Sequence, residues 1–363
     1  MPEKARSTNV AKFLIPPSFY NPTDAENPDY HLEIAWPIKD GRLRLLDVAA
    51  EYRREHNVPI LGADSPELGT IGIDLQNSFI FESLAVVGGI QAARRFAEFC
   101  YRLARYIDIE MLTGDNHPEQ MITTPFFTKD RYGNHAQPLQ KEFDESDFLS
   151  GDWGINSDCL STLPGRPTER FMNDYLAVAA HRLKELGRPK LIVWPEHCPE
   201  LSYGQQIAGV VLAQKQFHGF LRGVRNLIFT KGNSPYVECF SPYGPDYLTF
   251  HNGSQIPLAE FNTALQSAIR SLKILVVGGL ASTHCVRAFL LDLVKYNPEI
   301  VPNTYVMEDC IAPVPGFEHL YAEAKTQLLG LKEPMHFVNS TDPVETWPGV
   351  MPQFIARRDR RAV

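Results

Sequence analysis

From residue 68 onward the chain alternates short apolar runs with longer stretches of helical periodicity. The run at 274–277 (ILVV) is the most uniform of these, β-branched and unbroken until Gly278 and Gly279, as in a buried strand. Similar runs cover 69–79, 109–118, 191–194, 226–232 and 304–309, the last of these expected to be the final strand of a sheet. Between them the apolar spacing turns helical. Ile90, Ala93, Phe96, Ala97, Cys100, Leu103 and Ala104 mark one face of a helix over 88–107. Further helices are expected over 43–56, 172–186, 207–221, 261–272 and 321–329. Strands alternating with helices predict an α/β fold with a mostly parallel central sheet and helices on both faces.

At 363 residues the chain is long enough for one large domain or two. A net charge of −8 with no long Lys/Arg stripe argues against nucleic acid as a partner, and no apolar run reaches the length of a membrane span. The basic cluster Arg357–Arg361 reads as a solvated end. Six cysteines lie scattered without disulfide-framework spacing, which predicts reduced thiols in a cytoplasmic protein. Residues 1–67 look like an N-terminal extension, 128–168 like a long polar loop, and no repeat is visible.

Candidate chemistry gathers at the ends of the apolar runs. Asp74 follows Ile71 and Ile73 where a parallel strand reaches its carboxyl edge, the edge at which open α/β sheets bind ligands. Asp115 and His117 form an Asp-x-His pair that sets two metal-competent side chains on one side of an extended segment. His197 follows the 191–194 run, with Cys198 beside it as a weaker ligand candidate, and Lys231 closes the 226–232 run. Cys285 falls in the first turn of a helix for which Thr283 is a candidate N-cap. There, unpaired backbone N–H groups favour a thiolate. Each residue alone also fits an ordinary structural role: a loop cap, an exposed cation, an inert buried thiol. Asp74, Asp115, Lys231 and Cys285 all fall at or just after the ends of strands that would share one sheet edge, and that coincidence favours a site.

Taken together, these segments resemble the isochorismatase-like cysteine hydrolases, and within them the metal-dependent nicotinamidases. IDLQNSF resembles the first-strand motif ending in the catalytic aspartate, here Asp74. TGDNHP resembles the D-x-H-P metal motif (Asp115, His117), and WPEHC the W-P-x-H-C motif, whose histidine is His197. TKG is similar to the K-G that carries the catalytic lysine (Lys231), and GLASTHCV to the nucleophile motif, placing Cys285. The resemblance spans about residues 70–309 and implies a three-layer α/β/α hydrolase fold over 68–330. It also marks 119–187 as an insertion and 331–363 as a C-terminal tail.

The activity implied is hydrolysis of nicotinamide to nicotinate and ammonia through a thioester on Cys285, with Asp74 and Lys231 as catalytic partners. The alternative is another small amide. The backbone N–H groups of Ala281 and Cys285 would form the oxyanion hole, after a cis bond between Leu280 and Ala281. Asp115, His117 and His197 would hold a divalent metal, zinc first, iron or manganese as alternatives. Phe79, Trp194 and Leu280 would line the substrate pocket, and a homo-oligomer serving NAD salvage is expected. Two residues depart from the family pattern: His284 stands where a tyrosine is usual, and Thr283 where an aspartate is.

Overall fold

The computed structural model describes residues 16–17, 19–30, 38–39, 42–62 and 65–361. The rest of the expected extension over 1–67 lies outside the described residues. Six parallel strands form the central sheet: β1 (Leu68–Ile73), β2 (Ile109–Asp115), β3 (Leu227–Lys231), β4 (Ile274–Leu280), β5 (Thr304–Ala312) and β6 (His336–Val338). Their spatial order is β6-β5-β4-β1-β2-β3. The order reverses between β1 and β4, the switch point at which doubly wound sheets open a crevice beyond their carboxyl ends. Asp74 leaves β1 and the segment carrying Cys285 leaves β4, so both sides of that crevice carry a reactive group.

The helices are α1 (Arg44–His56), α2 (Gly89–Leu103), α3 (Glu169–Glu185), α4 (Gly209–Arg222), α5 (Thr263–Arg270), α6 (Arg287–Tyr296), α7 (Glu318–Leu329) and α8 (Met351–Arg361). α2 packs across β4 and β5 with α4 beside it, and α1 lies on α4 through Leu45, Ala49 and Tyr52. α6 packs against α7. Helices flank the sheet on both faces, completing three layers. β1 and β4 are buried at every position, which explains their largely apolar sequences. Among the described residues no helix is long and apolar enough to cross a membrane.

Four expectations need correction. The 191–194 run is not a strand of the central sheet: Leu191–Ile192 pairs antiparallel with Glu142–Phe143, and Leu191 and Val193 enter a second core. The polar stretch 128–168 is not a bare loop. It contributes short strands, the helix Glu145–Leu149 and buried Phe143, Phe148 and Ile155 to that second core, with Tyr175 and Leu176 of α3 and Tyr236 and Val237 of a later loop. β5 is not the last strand, because β6 pairs with it; only Val338 of β6 is buried, so no apolar run announces it. The basic C-terminal cluster is not simply solvated. Arg358 donates to Glu67 and Asp108 at 3.0 and 2.7 Å, fastening α8 under the sheet.

Candidate active site

Two close backbone approaches bring the strand ends together. Gly279 has φ 130°, and a Cβ there would overlap the backbone of Ile73, so only glycine lets β4 close on the end of β1. Asp74 then turns out of β1 with φ 47°, a left-handed conformation that aspartate adopts more readily than branched residues. The Leu280–Ala281 peptide is cis, as the resemblance implies. Beyond it Ser282–Val286 forms a wide π turn leading into α6, and this turn holds Cys285. Thr283 lies inside that turn and is not its N-cap.

Lys231, at the end of β3, ties these groups into one cluster. Its Nζ lies 3.1 Å from Asp74 Oδ2 and donates to Cys285 Sγ at 3.5 Å, to the Cys239 carbonyl at 3.1 Å and to Asp115 Oδ1. The Thr113 hydroxyl donates to Asp74 Oδ1 at 2.7 Å, while Oδ2 faces the Lys231 ammonium. Asp74, Asp115 and Cys285 each bring an atom within 4.8 Å of the others.

Burial and charge set the protonation of this cluster. Burial pushes Asp74 up, and the Lys231 ammonium only partly offsets it. Burial also pushes the Cys285 thiol up; Lys231 pulls it down, while Asp74 adds to the rise. For Asp115 burial is outweighed by Lys231 and His117, which hold its carboxyl well below the usual range. Burial disfavours the Lys231 ammonium, but Asp115 and Asp74 keep it charged. The cluster therefore rests with Lys231 paired to Asp115, and with a proton available to Asp74 and Cys285.

Asp115, His117 and His197 form a second group, each offering a ligand atom within 4.8 Å of the others. His117 Nδ1 faces the Gly232 carbonyl at 3.2 Å and His197 Nδ1 the Pro195 carbonyl at 2.7 Å. The carbonyl partner on Nδ1 leaves Nε2 of His197 as an electron-pair donor, while Nε2 of His117 faces Asp115 Oδ2 at 3.5 Å, so all three side chains converge as metal ligands do. Burial, aided by His117, pushes His197 down to about 4, so it stays neutral near pH 7. Gly232 has φ 75°, and a Cβ there would come within 2.6 Å of His117 Nδ1. The donor set thus fits a divalent metal. Cys198, by contrast, is turned to the Gly204 carbonyl, and burial pushes its thiol far up.

Sequence reasoning missed several residues here. Gln76 grips the main chain of Asp115 from both sides: its Nε2 donates to the Asp115 carbonyl at 2.8 Å, and its Oε1 accepts from the Asp115 N–H at 2.7 Å. Glu238 shares a cavity with Asp115, His197, Lys231 and Cys285, and one of its carboxyl oxygens is buried without a partner. Phe240 and His284 wall the same cavity. Gln76 falls within the quoted first-strand motif, whereas Glu238 sits in a loop without periodicity. Phe79 and Trp194 line the cavity. Leu280 does not; it is fully buried and lies toward the start of α2.

No protein-family model and no curated protein matches this chain. Among solved structures, the chain is similar to a nicotinamidase/pyrazinamidase of Acinetobacter baumanii, with 18% identity and a TM-score of 0.46 over 76% of this chain and 97% of that one. It is similar to a zinc complex of a Pyrococcus horikoshii pyrazinamidase, with 17% identity and a TM-score of 0.41 over 76% and 99%. An N-carbamoylsarcosine amidase of Thermoplasma acidophilum gives 12% identity and a TM-score of 0.38 over 76% and 98%. With likeness at this level, the assignment of a function rests on the chain's own side chains and their geometry.

Proposed function

We propose that this protein is a cysteine amidohydrolase of the isochorismatase-like family that converts nicotinamide to nicotinate and ammonia. The observation that carries the reading is the buried ammonium of Lys231 set between the Asp74 carboxyl and the Cys285 thiol, 3.1 and 3.5 Å away. Such a cation stabilises the thiolate as it forms, while the Asp74 carboxylate accepts the thiol proton.

The thiolate attacks the carboxamide carbon, and the resulting oxyanion accepts hydrogen bonds from the backbone N–H groups of Ala281 and Cys285. Collapse breaks the C–N bond as Asp74 returns its proton to the departing ammonia. Asp74 then takes a proton from water attacking the thioester, and the acid leaves as the thiol is restored. Asp115, His117 and His197 would hold the metal, zinc suiting this mixed donor set with iron or manganese as alternatives. When bound, the metal would coordinate the pyridine nitrogen and so orient the ring. Phe79 and Trp194 would hold the ring's faces. A role in NAD salvage, in a cytoplasmic homo-oligomer whose catalytic region spans 68–330, belongs to the same reading.

The test is ammonia release from nicotinamide by the purified protein, its Cys285→Ala variant and a chelator-treated sample. Release that disappears in the variant and falls with the metal supports the assignment. Metal-replete protein that releases none from nicotinamide refutes it.

A further inference from the structure

The backbone pairing of β1 with β2 runs from Gly69 opposite Ile109 to Gly72 opposite Leu112 and stops there. One residue further along β2, the fully buried side chain of Thr113 takes over the link between the two strands. Its Oγ1 accepts the backbone N–H of Asp74 at 3.2 Å and donates to Asp74 Oδ1 at 2.7 Å. A threonine hydroxyl has one proton to give, and among the described residues Asp74 Oδ1 is the only acceptor it meets. The two bonds fix the main chain and the carboxyl plane of Asp74 together, at the point where it has left the strand with φ 47°. They also distinguish its two oxygens. Oδ1 is held by Thr113, whereas Oδ2 lies 3.1 Å from Lys231 Nζ, the ammonium that reaches Cys285 Sγ at 3.5 Å.

We propose that Thr113 is the positioning residue of the catalytic base: by holding Asp74 Oδ1 it commits Oδ2 to every proton transfer of the reaction. The inference rests on the amidase reading, in which Asp74 takes the thiol proton, gives it to the departing ammonia and takes another from water. A carboxyl that could turn over between these steps would carry its proton to the side away from Lys231 and Cys285. Turning over here breaks a hydrogen bond made to a charged group, the stronger kind. The same bond favours the carboxylate and so works against the burial that raises Asp74. Thr113 is not among the residues lining the cavity, so it acts on the reaction through Asp74. Small displacements of a reacting group cost rate steeply, which is why a base used repeatedly gains from a fixed plane.

The experiment follows ammonia release from nicotinamide across pH by wild type, by Thr113→Val, which keeps the shape without the hydroxyl, and by Thr113→Ser, which keeps the hydroxyl. Thr113→Ala replaces the valine variant if that one does not fold, and rates are referred to the folded fraction seen by near-UV circular dichroism. In Thr113→Val kcat should fall about 10- to 100-fold, the worth of a hydrogen bond to a charged group, with KM within about twofold of wild type. Thr113→Ser should recover most of the loss. The acid limb of kcat/KM should move to higher pH in the valine variant and return in the serine variant, because Asp74 loses and regains a donor that favours its charged form. Lys231, Asp115 and Cys285, the charged and titratable groups that face Asp74, are the same in all of these proteins. A merely structural role would lower the folded fraction without moving that limb. An unmoved limb in Thr113→Val, or a serine variant no better than the valine one, overturns this assignment alone. Wild type that releases no ammonia overturns it together with the amidase reading.

Discussion

Glu110 on β2 is buried at the end of the sheet away from the site. Its Oε1 accepts from Gln214 Nε2 at 2.7 Å, and His218 Nδ1 lies 3.7 Å away. His218 provides no counter-charge, because burial pushes it down to about 3. Glu110 is consequently pushed up by burial to about 8, against 4.5 for an unperturbed glutamate. The folded state binds this proton more tightly than the unfolded state, so the group's contribution is fully present below pH 4.5 and is lost as pH rises through 8. Each pH unit within that window costs about 1.4 kcal/mol, or about 4 kcal/mol between pH 5 and pH 9. Glu110→Gln keeps the shape and the acceptor but has no proton to lose. Urea unfolding of both proteins at pH 5, 7 and 9 should therefore show the variant gaining on wild type by about that amount. Subtracting the two curves cancels every other titrating group. A difference that does not change with pH would mean that Glu110 is ionised in the folded protein, and the reasoning fails.

Other consequences are as direct. Gln76→Glu replaces the amide that donates to the Asp115 carbonyl, so metal affinity should fall about 10- to 100-fold in a competition titration. Since burial raises Asp74, the acid limb of the kcat/KM profile should lie above the ordinary carboxylate range, activity appearing as Asp74 loses its proton with rising pH. A limb at the usual carboxylate pKa would contradict the buried pair. Gly279→Ala sets a Cβ against the backbone of Ile73 at φ 130°, and should lower unfolding stability by more than about 2 kcal/mol in urea titrations.

Most of the sheet was legible because β1 and β4 are buried on both faces, which leaves a run such as Ile274–Val277 with no polar position. β6 escaped notice for the opposite reason: it is a three-residue edge strand with one buried side chain. The run at 191–194 misled because a short apolar segment reads alike whether it enters the central sheet or a neighbouring core. In the site, Asp74, Asp115 and Lys231 close strands, and Cys285 follows directly on β4, where strand ends can be read from sequence. Glu238 and Phe240 arrive on a loop whose path depends on contacts more than 60 residues away, including the Tyr175 hydroxyl that donates to the Tyr236 carbonyl. No local periodicity encodes such a path.

The apolar walls of the cavity, Trp194 and Phe240 included, belong to the main core, but the chain reaches one of them from the other core. Asp74 and Cys285 are carried by strands of the main one, whereas the loop that leads to Glu238 and Phe240 is anchored through Tyr236 and Val237 in the other. A substitution deep in the 128–168 segment can therefore shift the loop that carries Glu238 while leaving Asp74 and Cys285 in register. Nucleophile and wall can consequently evolve, or be engineered, at separate rates. Asp74 and Cys285 thus depend on the parallel sheet alone, whereas the position of Glu238 depends also on how the second core holds Tyr236 and Val237.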